Sequence, residues 1–170
     1  RPVADAEIES FVSLAKPHHP KEQPMHKMVR SPLRAMFSSP QFLFHGGQPG
    51  PLDDHALASR LSYFLWKTLP DEQLFALARD KKLKDPKVLR NQVNRMLKDP
   101  RSNRFVDDFL DGWLGLREID ATTPDPTLYP EYGDTLRQAM LAEPRLFLRE
   151  LIDRNLAARN FIKSDFTFVN

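Results

Sequence analysis

Fifteen prolines stand against six glycines in this chain of 170 residues, and that imbalance constrains its fold more than any other feature. Proline fixes φ and lacks an amide, so it suits the first turn of a helix and disturbs a helix interior or a strand ladder. Most of the prolines here flank runs in which apolar residues recur every three or four positions, and they read as helix starts and stops. Asp85-Pro86 and Asp99-Pro100 have a capping acid followed by a proline suited to the first helical position. No stretch alternates apolar and polar residues as a half-buried strand would. The expectation is an all-α fold of about seven helices with Pro-punctuated connections, arranged as an orthogonal or irregular bundle.

Residues 5–16 give a first helix, with acids early and Pro17 at its end; His18 to Pro24 form a polar connector. Met28, Val29, Leu33, Met36 and Phe37 recur at helical spacing. Pro32 either follows a Ser31 cap on a fresh helix, the favoured reading, or kinks one continuous helix, and Ser39-Pro40 closes it. Half of the glycines lie in His45-Gly46-Gly47-Gln48-Pro49-Gly50-Pro51. The expected division is therefore a small helical unit at 1–45, a linker at 46–51 and a main helical domain at 52–170.

In the main domain, Leu57, Leu61, Phe64, Leu65 and Leu69 share one arc of a helix over about 53–67, with His55, Ser59, Ser62 and Trp66 opposite. Small serines where lysines would serve solvation predict a central helix packed on two sides, with Trp66 covered. Further helices follow Pro70-Asp71, Asp85-Pro86 and Asp99-Pro100, the last stopped by Gly115. Residues 120–133 form a loop held by Tyr129 and Tyr132. A long helix runs from about Asp134 to Asp153 with Leu136, Met140, Phe147 and Leu151 as its apolar stripe.

Several chemistries are closed. With no cysteine the chain offers no disulfide, thiolate nucleophile, iron-sulfur site or C-x-x-C-H haem attachment. There is no apolar run long enough for a membrane span. H-E-x-x-H and E-x-x-H are absent, which argues against a zinc protease and a ferritin-like di-iron centre. The chain opens on Arg1 and closes on the apolar Phe166-Thr167-Phe168-Val169, so it is expected to be a piece of something longer.

Three groups of residues are candidates for function. Glu143 lies on the apolar stripe of the last helix beside Pro144, where burial would make it a general acid/base or a carboxylate paired with an arginine such as Arg60. His18, His19 and His26, with Met25 and Met28, offer metal-ligand atoms, but the prolines between them break any helical alignment, and no metal site is expected. Residues 79–104 hold ten Lys or Arg against three Asp. Among these, Lys81, Lys82, Lys84, Lys87 and Arg90 form a basic surface that could meet an anionic polymer or an acidic partner. No aromatic interleaving accompanies it, so a solvated face is favoured and nucleic acid is not expected. Asp107, Asp108 and Asp111 read as a solvated acidic face.

Residues 52–74, Leu-Asp-Asp-His-Ala-Leu-Ala-Ser-Arg-Leu-Ser-Tyr-Phe-Leu-Trp-Lys-Thr-Leu-Pro-Asp-Glu-Gln-Leu, resemble the opening of a planctomycete-specific domain of unknown function. The resemblance continues through Val88 to Leu97, through Phe109-Leu110-Asp111-Gly112-Trp113-Leu114-Gly115-Leu116, and in Ser164-Asp165-Phe166-Thr167-Phe168-Val169-Asn170. Residues 1–45 resemble a smaller companion domain that precedes it. The resemblance implies a large exported protein, an extracytoplasmic location and association with c-type cytochrome modules. It carries no reaction with it. The implied role is a non-catalytic scaffold or docking module whose partners are neighbouring domains of the same polypeptide and redox proteins, with any haem elsewhere. The competing expectation is an enzyme part, with Glu143, Arg60 or Asp165 in a site completed beyond Asn170.

Overall fold

The computed structural model of the protein describes residues 3–15, 25–44 and 50–168. Among them are eight α-helices and no strand, which bears out the all-α expectation. The helices are α1 (Asp5–Ser13), α2 (Met25–Phe37), α3 (Pro40–Leu43), α4 (Asp54–Trp66), α5 (Glu72–Arg79), α6 (Pro86–Lys98), α7 (Asn103–Leu114) and α8 (Asp134–Asp153). Short 3-10 turns lie at Pro100–Ser102, Leu116–Glu118 and Ala158–Phe161.

The helix starts follow the acid-cap logic of the sequence. The side chains of Asp53, Asp71 and Asp85 accept from the amides of Ala56, Leu74 and Val88 at 2.7, 3.0 and 3.0 Å, satisfying donors that the first turn leaves free. Asp99-Pro100 opens a 3-10 turn first, and α7 begins only at Asn103. Gly115 ends α7 at φ +65°, a left-handed conformation that costs glycine nothing. In the N-terminal unit α2 is one helix running through Pro32, so the fresh start at Ser31 is not found, and Ser39-Pro40 opens α3 instead of simply closing α2. The Pro32 ring lines an apolar groove with Phe11 of α1 and with Val29 and Met36 of α2.

α4 is the central helix, packing on α5, α6 and α7. Its most buried side chains are Ala58, Ser62, Leu65 and Trp66, and they meet Leu74, Ala78, Leu83 and Met96 in the main core. The small Ala58 and Ser62 let neighbours approach closely. The apolar arc read from the sequence is displaced: Leu57 and Leu61 are half-buried, whereas Phe64 and Leu69 are 62% and 65% exposed. A second core joins Val106 and Leu110 of α7 to Leu148 of α8, with Phe105 packed against both clusters.

On α8 the buried stripe is likewise rotated from the expected one. Leu151 is buried and Phe147 half-buried, as expected, but Leu148 joins them in the interior, while Leu136 and Met140 are exposed. Arginines explain the rotation. Arg145 turns toward α7 and donates to Asp107 at 2.8 Å, and Arg149 donates to the Leu97 carbonyl and the Ser102 hydroxyl at 2.9 and 2.8 Å. Asp107, Asp108 and Asp111 are therefore not simply solvated, since they pair with Arg145, Arg117 and Lys67. The 120–133 loop is held by turn chemistry and by the Asp120–Arg137 pair; Asp125 accepts from the Thr127 amide at 2.7 Å, and Tyr129 stays more than half exposed.

Candidate functional site

The C-terminal segment returns over the junction of α7 and α8 and forms a groove of about 470 Å³, within the size range of ligand pockets. Ser164 sets its outer wall. The hydroxyl donates to the Phe166 carbonyl at 2.9 Å and accepts from the Phe166 amide at 3.2 Å, a local turn that fixes Phe166. Phe166 then stacks on Phe147 of α8 at 5.1 Å between ring centroids and 29° between planes. Phe161 stands edge-on to Trp113 of α7 at 5.1 Å and 87°. Trp113 is 53% exposed, so much of its indole faces solvent at the mouth of the groove.

Glu143 sits on the wall of this groove and is exposed, which corrects its expected burial. The cause is the rotation of α8 that places Arg145 and Leu148 inward. The Thr167 hydroxyl donates to Glu143 Oε1, and among the described residues no cation pairs with this carboxylate. The expected partner Arg60 is exposed on α4 and does not line the groove. Asp165 is also exposed and lies beside the groove without lining it.

The basic stretch divides in two. Lys81, Lys82, Lys84, Lys87 and Arg90 are exposed, with Lys82 near Asp80 and Lys84 near Asp54. Arg95, Arg101 and Arg104 instead turn toward Trp66. The Trp66 indole donates to the Met96 carbonyl at 3.0 Å; Arg101 and Arg95 lie 3.5 and 5.4 Å from its ring centroid. Arg104 donates to the Trp66 carbonyl at 3.0 Å. Arg95 holds Asp71 through two bonds of 2.7 and 3.1 Å, and Arg101 pairs with Asp99 at 2.8 Å. Arg101 pulls the Asp99 carboxyl down to about 2. Partial burial works to raise Asp71, but Arg95 and the Leu74 amide outweigh it, and the net direction is down. This cluster ties four helices around one buried tryptophan, and the sequence reading missed it. Its available signal was the choice of Arg over Lys beside Asp-Pro starts, since a planar guanidinium can both fork onto a carboxylate and stack on a ring.

Of the histidine candidates, His18 and His19 lie outside the described residues, and His26 is exposed on α2. Among the described residues no three His, Asp or Glu side chains gather closely enough to hold a metal ion. None of the described helices is long and apolar enough to cross a membrane.

The family model described as PSD4, a protein of unknown function (DUF1592), matches residues 52–170. No curated protein and no solved structure matches the chain.

Proposed function

The chain belongs to the DUF1592 family of unknown function, and from that premise we propose that residues 52–170 are a non-catalytic helical docking module. One observation carries the reading: an aromatic series runs from Phe64 of α4 through Phe105, Phe109 and Trp113 of α7 to Phe161, Phe147, Phe166 and Phe168. Phe64, Phe109 and Trp113 remain substantially exposed along it. Aromatic surface of this kind is costly to leave wet and is enriched where proteins meet. Along α7, Asp107, Asp108 and Asp111 are engaged with Arg145, Arg117 and Lys67, which suits a rigid frame. The partners in this reading are neighbouring domains of a larger exported, extracytoplasmic polypeptide of the planctomycete-specific type, with c-type haem carried elsewhere. Residues 1–45 would be the companion domain, joined through the Gly/Pro linker at 46–51.

Hydroxyl-radical footprinting tests this on the longer polypeptide and on the present chain. The docking reading expects Phe64, Phe109 and Trp113 to be oxidised several-fold more slowly in the longer polypeptide. Equal oxidation in both would contradict it.

A further inference from the structure

The groove beside α8 combines two features that together select a ligand chemistry. Trp113, Phe161, Phe147 and Phe166 contribute aromatic surface to one cavity, with Phe161 perpendicular to Trp113. The face of an aromatic ring carries negative potential, and rings set at angles around one space attract a cation into it. Glu143 supplies a carboxylate to the same wall, and no cation among the described residues neutralises it. Its Oε1 receives the Thr167 hydroxyl, which holds the side chain against the C-terminal segment. Leu110, Leu114, Pro144 and Ile162 add apolar lining, and Asn160, Ser164 and Thr167 add neutral polar groups. A lining with a single carboxylate offers too few charged oxygens for a small, strongly hydrated metal ion, and its aromatic surface suits a cation dressed in methylenes or methyl groups.

We propose that this groove binds an organic ammonium head group, held over the Trp113 and Phe161 faces with its charge toward Glu143. The inference rests on the docking reading in placing the ligand at one end of the same aromatic face. Two sources share this chemistry: a free alkylammonium compound, and a lysine side chain presented by a docked segment. A free head group would enter from the open mouth, and a lysine would reach the same point with its stem along Trp113.

The two indole N–H resonances of the intact chain provide the readout, since Trp66 is buried and bonded to Met96 whereas Trp113 is half-exposed. Titration with choline should move the Trp113 signal and leave Trp66 in place. The uncharged carbon isostere 3,3-dimethylbutan-1-ol should bind at least about fivefold more weakly, because it lacks the charge that the rings and Glu143 attract. Nα-acetyl-lysine methylamide, tested alongside, identifies the source by whether it or choline binds more tightly. Glu143→Gln alters an exposed side chain, so folding is retained, and choline affinity should fall about threefold to fivefold with little change for the isostere. The proposal is overturned if the isostere binds as well as choline, if Glu143→Gln leaves choline affinity unchanged, or if neither cation shifts Trp113. Such a failure with footprinting protection intact at Phe64 and Phe109 would remove the ammonium site and leave the docking reading standing.

Discussion

Residues 3–15 and 25–44 on one side and residues 50–168 on the other are both largely helical and both amphipathic, yet among the described residues only the second region encloses a core. Among the described residues no side chain before Asp54 is buried, and Ile8, Val12, Leu33, Phe37 and Phe42 are all exposed. Ile8, Val12 and Phe42 border an open groove of about 700 Å³ instead of a packed interior. In the second region Trp66 is fully buried, and four helices converge on it through hydrogen bonds, guanidinium stacking and small-residue contacts. The difference teaches that amphipathic periodicity is enough to form helices, whereas a core also needs a large side chain that several elements can surround. It also agrees with the extent of the family match, which begins at residue 52.

The comparison breaks most severely at Trp66. Trp66→Ala should cost about 3–5 kcal/mol, because it opens a cavity and strands the guanidinium groups that cover the ring. Calorimetry or denaturant unfolding should show the main transition shifted far down or lost. Asp71→Ala comes next, at about 1–3 kcal/mol, since it removes the α5 cap and leaves Arg95 without its carboxylate. Conservative Asp71→Asn should recover the cap and part of that loss in the same unfolding measurement.

Acid sharpens the contrast further. Asp99 has its carboxyl lowered to about 2 by Arg101, against about 3.9 in an unfolded chain. A carboxyl depressed on folding stabilises the native state above its unfolded value, and that contribution disappears as pH falls through the folded value. Asp71 shifts in the same direction. The main transition should therefore weaken between about pH 4 and pH 2, and Asp99→Asn should flatten that part of a stability-versus-pH curve.

The smallest effects separate packing from polarity. Ser62 is buried, but its hydroxyl finds no hydrogen-bond partner among the described residues. Ser62→Ala should be neutral or stabilising by up to about 1 kcal/mol, since small volume matters there and the hydroxyl is desolvated without return. Ile8→Ala in α1 should leave the main unfolding transition within about 0.5 kcal/mol of the parent.

The helical class, the central place of α4, the covered Trp66, the Gly115 stop and the span of α8 were all legible in the sequence. Each depends on local chemistry: capping acids, a left-handed glycine, or small residues at helical spacing. The exposed Phe64 and the displaced stripe of α8 were not legible, because each follows from which neighbour the helix meets. Arg145 and Arg149 look like solvent-facing residues until their partners on α7 and the Leu97 carbonyl are in place. Glu143 was singled out for burial, and what makes it a site candidate is the opposite condition. It is exposed beside a wall of aromatic rings that come together only when the chain beyond α8 folds back.

Native-state hydrogen exchange on the intact chain tests most directly whether the self-supporting core is confined to the second region. Amides in α4 and α6 around Trp66 should exchange at least about a thousandfold more slowly than those in α1, whose opening requires no disruption of a packed interior. Comparable protection in α1 and α4 would contradict the account.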